Sequence, residues 1–127
     1  MSEKQMWYDV SYMQELMRAA FWDAYEAYEA LHNNHGDQRF SIAMNYLVLS
    51  HQSYVELNRM KHEKDLSHYE IDGFLTAYDE YKFELKKVIT AKDENTSWLY
   101  SKKEMLLESW KSTNEFLSNY IKSATKK

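Results

Sequence analysis

The sequence predicts an all-α protein folded as an up-down-up-down antiparallel four-helix bundle. Two glycines and no proline in 127 residues leave few helix breakers, so long helices are expected. Apolar residues recur every three or four positions through four segments of roughly 25 residues, and short polar stretches separate these segments. Such helices joined by short loops are typical of an antiparallel bundle. We expect a single domain over 1–127, because the chain is too short for two domains of ordinary size.

The first boundary is the stretch HNNHGD, in which Asn33, Asn34 and Gly36 can adopt the left-handed conformation that ends helices. Asp37 can cap the following helix. Helix 1 is therefore expected over about 6–33 and helix 2 over about 38–63. The predicted core face of helix 1 contains alanines that would let a neighbouring helix approach closely; its members are Met6, Val10, Met13, Met17, Ala20, Ala24, Ala27 or Tyr28, and Leu31.

The second boundary, DLSHYEI, has the spacing of a capping box. Ser67 and Glu70 can each bond the other's free backbone N–H, and Leu66 and Ile71 flank them as a hydrophobic staple. Helix 3 is expected to begin at Ser67 and to end at about residue 90. Gly73 lies inside it and indicates a close helix crossing. The predicted core residues of helix 3 are Ile71, Phe74, Leu75, Tyr78, Tyr81, Leu85 and Ile89.

Helix 4 follows the stretch AKDENTS, which offers several alternative caps. It is expected over about 96–122, with a basic solvated tail over about 123–127. Its predicted core residues are Leu99, Leu106, Trp110, Phe116, Leu117, Tyr120 and Ile121.

Helix 2 differs from the others because it has two apolar stripes, and two apolar faces need two packing partners. The first stripe is Phe40, Ala43, Met44, Leu47, His51 and Tyr54; the second, more than ~100° away, is Ile42, Tyr46, Leu49, Leu57 and Met60. Helix 1 also has aromatic residues off its core face. Two interpretations stay open: either the bundle buries helix 2 on both sides, or the second stripe binds a partner, which we favour slightly.

The favoured interpretation predicts an interaction surface on helices 1 and 2, since Trp, Tyr, Met and Arg are enriched where proteins bind one another. Aromatic anchors would enter pockets on a protein partner or on a second copy of this chain. The acidic charge of helix 1 would select partners with a basic surface. The predicted surface consists of Trp7, Arg18, Trp22, Asp23, Tyr25, Glu26, Ile42, Tyr46, Leu49, Leu57 and Met60.

A metal site is suggested by YEAYEALHNNHG, where Glu29 and His32 have the Glu-x-x-His spacing of di-iron bundles. On helix 1, however, Glu29 points about 150° away from the core face. The nearest second pair, Asp65 and His68, falls in the loop at the opposite end of the bundle. We therefore predict no metal ligands and no cofactor, and interpret His32 as a residue whose positive form suits a helix C-terminus.

His51 lies on the first apolar stripe of helix 2 and is expected to be a core histidine bonded to Ser50, Tyr54 or Asn58. No catalytic companion is visible, and the chain has no cysteine and no glycine-rich phosphate loop. We therefore predict no catalytic residues. The alternative hypothesis is a bundle that binds a metal, cofactor or small ligand in its core near His51, with or without enzymatic activity.

Charge and composition narrow the class of protein. The formal charge of −4 is mild and no segment is strongly basic, so we predict no nucleic-acid partner. No run approaches the roughly 18 apolar residues of a membrane span. The start MSEKQMWYDV has no secretory pattern, which together with the lack of cysteine favours the cytoplasm.

These features predict a non-enzymatic protein-interaction module, such as a small regulator, inhibitor or immunity-type protein of a phage or mobile element. The small size and the lack of a catalytic motif suggest this class, and no residue signature supports the origin. A structural subunit of a larger assembly is the third hypothesis.

Overall fold

The computed structural model describes residues 3–33, 36–66 and 68–125, with side chains described between residues 8 and 123 of these ranges. Within them the chain forms four helices and no strand, which confirms the predicted all-α bundle. The helices are α1 (Glu3–Asn33), α2 (Gln38–Glu63), α3 (Tyr69–Ala91) and α4 (Ser97–Thr125).

Contacts between α1 and α4 show that these helices run in opposite directions. The side-chain amide of Gln14 donates to Ser118 Oγ at 3.0 Å, whereas the ring of Tyr28, later in α1, lies 6.5 Å from that of Tyr100, early in α4. Contacts between α3 and α4 follow the same reversed order. This pairing is compatible with the up-down-up-down topology.

The four helices do not pack evenly. α1 packs most extensively against α2, whereas α2 and α3 touch over a much smaller area. Ala20, Ala24 and Ala27 are fully buried along α1, and small side chains of this kind allow a close helix approach. The weaker contact between α2 and α3 leaves a groove between them.

The core follows the predicted stripes closely. Every described member of the predicted core faces of α1 and α3 is buried, and in α1 both Ala27 and Tyr28 are included. Met6 falls among the side chains that are not described. In α4, Leu99, Leu106, Trp110 and Leu117 are buried, while Phe116, Tyr120 and Ile121 are partly buried against the core.

The loop between α1 and α2 matches the prediction in one feature and differs in another. Gly36 has a φ of 72°, the left-handed conformation expected there, and Asn34 lies outside the described residues. Asp37 occupies the N-cap position of α2, but its side chain makes no capping bond. Its Oδ2 instead accepts a hydrogen bond from Lys92 Nζ at 3.0 Å, which links this loop to the end of α3.

The start of α3 also differs from the predicted capping box. Ser67 lies outside the described residues, and the helix begins at Tyr69 with His68 as its N-cap. The Nδ1 atom of His68 accepts from the backbone N–H of Glu70 at 3.1 Å. The Glu70 carboxylate accepts from Ser112 Oγ at 2.9 Å, so it ties α3 to α4.

Three smaller expectations are corrected. Gly73 does not mark a close helix crossing, because it is exposed and an added Cβ would meet no atom within 4 Å. The expected tail from residue 123 is helical as far as Thr125, so α4 is longer than predicted, and α1 begins earlier, at Glu3.

The line of buried residues along α2, which we call its seam, follows the first predicted stripe early in the helix and the second stripe near its end. Leu57 and Met60, predicted to lie on the interaction surface, are buried with 0% and 4% of their surface exposed. The residues of the seam follow one another in steps of three, four or seven positions. Because seven residues fall short of two full turns of an ideal helix, the buried side rotates by about 20° per heptad. Along α2 the buried positions are Phe40, Ala43, Leu47, Ser50, Leu57 and Met60.

None of the helices in the described part of the chain combines the length and the apolar character needed to cross a membrane.

Candidate interaction surface

The middle of α2 carries no charge. Residues 40–55, FSIAMNYLVLSHQSYV, contain no Asp, Glu, Lys or Arg, although 28% of the whole chain is charged. This segment is nevertheless not buried on all sides, since Val48, Leu49 and Val55 expose 49%, 49% and 51% of their surface. We call these three residues the α2 apolar face. Charged residues are depleted in the centres of protein interfaces, so this face has the composition of one.

A groove of about 260 Å³ lies between α2 and α3, and we call it the α2–α3 groove. Met44, Leu47 and Val48 form its apolar side on α2, and Lys82 and Lys86 line it from α3. Among the described residues that line it, these two lysines are the only Lys, Arg, Asp or Glu. The groove therefore combines an apolar wall with a positively charged rim.

Tyr54 connects the two helices at the end of this groove. Its ring stacks on that of Tyr78 at 4.6 Å between centroids and an interplanar angle of 10°. The ammonium of Lys82 lies 4.9 Å from the Tyr54 ring centroid. Burial, helped by a hydrogen bond to Asp79, raises the pKa of the Tyr54 hydroxyl to about 12. Tyr54 thus links α2 to α3 through its ring contacts with Tyr78 and Lys82.

Beneath the groove, a buried hydrogen-bond network joins α1, α2 and α3. Ser50 Oγ donates to the backbone carbonyl of Ala20 at 2.6 Å and lies 2.6 Å from the hydroxyl of Tyr78. The Tyr81 hydroxyl donates to the carbonyl of Ala24 at 2.6 Å. Burial is the main cause that raises the pKa of both tyrosines above the ordinary value.

The prediction that His51 is a core histidine is wrong. Its side chain is exposed at the edge of the groove, with its ring 6.1 Å from that of Tyr54. Each residue rotates a helix by about 100°, so the side chain of His51 points about a quarter-turn away from that of Ser50, toward the groove side of α2. A ligand site in the core near His51, the alternative hypothesis, therefore lacks its central residue.

Glu29 and His32 take part in contacts at the end of α1. His32 is exposed; its Nδ1 lies 3.0 Å from the carbonyl of Tyr28 and its Nε2 3.3 Å from Thr96 Oγ1. Glu29 accepts from the side chain of Asn33 at 3.5 Å. Within the described residues, no three His, Cys, Asp or Glu side chains form a group that could hold a metal ion.

The predicted surface residues of α1 are divided between exposed and half-buried positions. Trp22 exposes 48% of its surface and packs edge-on against Phe21, with ring centroids 5.3 Å apart. Glu26 is exposed, and Arg18 is exposed and paired with a glutamate one turn away. Asp23 is half-buried, and burial raises its pKa. The side chain of Trp7 lies outside the described residues.

Tyr25 belongs partly to an internal cluster. It is half-buried and, with Tyr28 and Tyr100, surrounds the ammonium of Lys103 at distances of 5.5, 4.5 and 4.6 Å from the three ring centroids. Lys103 itself is buried. Tyr25 thus contributes a cation–π contact between α1 and α4 and has only part of its ring available to a partner.

On α2, the predicted surface residues separate in the same way. Leu49 is half-exposed, Ile42 and Tyr46 are packed partly against the core, and Leu57 and Met60 are buried as described above. The predicted surface does not include four residues that contribute to the exposed apolar face of α2 or to the basic side of the groove, namely Val48, Val55, Lys82 and Lys86. The absence of charge over residues 40–55 was the signal that could have identified the first two.

No protein-family model, no curated protein and no solved structure matches this chain. The surface chemistry of the described residues is therefore the basis for the function proposed next.

Proposed function

We propose that this protein is a non-enzymatic interaction module that binds another protein through the α2 apolar face. The observation that supports this most directly is the uncharged segment 40–55, which leaves Val48, Leu49 and Val55 half-exposed on a helix that could have carried charges there. Burying apolar surface yields about 25 cal/mol per Å², so such a face favours association. Exposed apolar residues that lie close together are found more often at binding sites than elsewhere on a protein surface.

We further infer that Trp22 and Leu49, the most exposed apolar members of the predicted surface among those whose side chains are described, extend the contact toward α1. The acidic residues Asp23 and Glu26 would then meet a basic part of the partner. A cytoplasmic location and a role as a small regulator, inhibitor or immunity-type protein of a phage or mobile element complete the proposal. They are based on the small size and the lack of cysteine.

Site-specific photo-crosslinking in the source cells tests the proposal. A photoreactive amino acid replaces Val48, and in a control it replaces Met105, which is equally exposed on α4. We expect a discrete crosslinked product from position 48 that disappears when Leu49→Glu and Val55→Glu are added, and no such product from position 105. Identical products from both positions, or a product that is insensitive to the two glutamates, would contradict the proposed surface.

Light scattering over a concentration series then separates a foreign partner from a second copy. A constant mass of 15.3 kDa, the mass of one chain, would assign the face to another protein. A mass that rises with concentration in the wild type, but not in Leu49→Glu, would assign it to self-association.

A further inference from the structure

We propose that the α2–α3 groove binds an amphipathic helix of a partner protein whose apolar side chains are flanked by Asp or Glu. This inference depends on the proposed function, because it specifies which partner chemistry fits the surface around α2. Met44, Leu47 and Val48 would contact the apolar side chains, and Lys82 and Lys86 would contact the carboxylates.

The size of the groove favours side chains of a helix over a small-molecule ligand. Its volume of about 260 Å³ is below the roughly 300–1,000 Å³ of most small-molecule pockets. Helices that bind in grooves insert a few apolar side chains spaced at i, i+3 or i+4, and i+7. Val48 and Val55 are two turns apart on the same side of α2, with the polar side chains of His51 and Gln52 between them, so a second exposed apolar side chain lies beyond the groove.

The charges around the groove determine which charge the partner should carry where it contacts the groove. Lys82 and Lys86 are one helical turn apart on α3, and both line the same groove. The opposite wall belongs to the uncharged segment 40–55, which has no carboxylate to neutralise them. Asp79, also on α3 and three residues before Lys82, lies close enough to the Tyr54 hydroxyl to help raise its pKa. A partner with carboxylates facing the lysines would therefore associate faster and bind better than one with like charge.

Other occupants suit the groove less well. A basic helix would place like charges against both lysines without compensation from α2. A nucleic acid would find two Lys or Arg side chains among the described residues that line the groove, whereas proteins that bind DNA through phosphates make about 6–10 such contacts. The acidic residues of α1 that were predicted to select a basic partner do not line this groove.

A display library of helical peptides provides the probe. The peptides carry apolar residues at i, i+3, i+4 and i+7, and the flanking positions are randomised among acidic, basic and neutral residues. The purified full chain is the target. Selected peptides are then synthesised and their dissociation constants are measured by fluorescence anisotropy against Val48→Glu, Lys86→Glu and the matched control Lys111→Glu, whose side chain is exposed on α4.

We expect Asp and Glu to be enriched at the flanks of peptides that compete for one site. Lys86→Glu should weaken their binding by about tenfold, and Lys82→Glu with Lys86→Glu by more, whereas Lys111→Glu should have little effect. The double variant should instead bind versions of the peptides with Lys at the flanks. Peptides that depend on Val48 but show no enrichment of acidic residues, or that bind the double variant unchanged, would overturn the inference about charge and leave the interaction module intact.

Failure of the proposed function has a different outcome. If no selected peptide loses affinity in Val48→Glu, neither the groove nor the α2 apolar face is a binding site, and both proposals are wrong. If the chain alone forms dimers that Val48→Glu dissociates, a second copy occupies the groove and the acidic helix is excluded. Circular dichroism of each variant shows whether the fold is retained.

Discussion

Ser50 contributes a single hydroxyl group to the contact between three helices. Its Oγ is fully buried, donates to the carbonyl of Ala20 in α1 and lies within hydrogen-bond distance of Tyr78 in α3. A buried polar group left without its partner costs about 1–3 kcal/mol. We therefore expect Ser50→Ala to lower the free energy of unfolding by about that amount, measured by urea denaturation.

Ser41→Ala is the matched control, because Ser41 is exposed on the same helix and should change stability by less than about 0.5 kcal/mol. Tyr78→Phe should destabilise the protein less when Ser50 is already alanine, since both substitutions remove the same bond. Equal effects of Ser50→Ala and Ser41→Ala would show that the network does not contribute to stability.

Tyr54 contributes to a loss of folding stability at alkaline pH. Its pKa in the folded protein is raised to about 12, above the value of about 10 for an unfolded chain, so the folded state holds the proton more tightly. The resulting stabilisation is complete below pH ~10 and is lost as the pH rises toward 12. We expect Tyr54→Phe to make the decline of the urea midpoint above pH ~10 less steep without removing it, since the buried Tyr78 and Tyr81 also have raised pKa values, whereas Tyr69→Phe, at an exposed position, should leave it unchanged.

At the scale of elements, the two glycines should respond to alanine in opposite ways. Gly73 has helical surroundings with open space around it, so Gly73→Ala should stabilise the protein by about 0.5–1 kcal/mol. Gly36 has a φ of 72°, a conformation that costs a residue with a Cβ about 1–2 kcal/mol, so Gly36→Ala should destabilise it. Thermal and urea unfolding of both variants provide the comparison; the same sign of change in both would contradict the assigned backbone conformations.

Alanine substitutions of two leucines on α2 test which side of this helix faces the core. Leu57 is fully buried, and Leu57→Ala should cost about 2–5 kcal/mol because it leaves a cavity in the core. Leu49 is half-exposed, and Leu49→Ala should cost less than about 1 kcal/mol in the isolated protein. Urea denaturation measures both. A larger loss at Leu49 would mean that it, and not Leu57, belongs to the core.

The same helix shows how far sequence reasoning could reach. Local periodicity was sufficient for the core faces of α1 and α3, because the stripe predicted for each is buried at every position whose side chain is described. In α2 both faces are apolar, so the apolar pattern alone did not show which face is buried. A small rotation of the helix would have buried His51 in place of Ser50, or Leu49 in place of Leu57. That rotation depends on how closely α1 packs, which is a property of three-dimensional contacts.

Contacts between distant segments explain the remaining differences between the predicted and the observed helix caps. Asp37 pairs with Lys92, and Glu70 pairs with Ser112. Each of these acidic residues was expected to cap its own helix, yet each is bonded to a residue more than 40 positions away. The basic rim of the α2–α3 groove likewise comes from α3, so no pattern within α2 could have predicted it.

For the whole molecule, net charge and the α2 apolar face act together. The chain has a formal charge of −4 at pH 7 and an isoelectric point near 5.7, so the repulsion between copies vanishes as the pH falls toward 5.7. Loss of net charge favours association through exposed apolar surface. We expect the mass measured by light scattering to rise between pH 8 and pH ~5.7. Val48→Gln with Leu49→Gln, which leaves the charge unchanged, should suppress this rise.

Trp98→Gln is the control for this experiment, because Trp98 on α4 exposes 72% of its surface, more than either α2 residue. If apolar exposure alone caused association, removal of this tryptophan would reduce the mass increase at least as much as the α2 substitutions. We expect it to have little effect, because Val48 and Leu49 belong to a segment of 16 residues without a charge (40–55), whereas Trp98 is close to Glu94, Lys102 and Lys103 in sequence. Suppression by Trp98→Gln alone would place the association on α4 and remove the main support for α2 as the interaction surface.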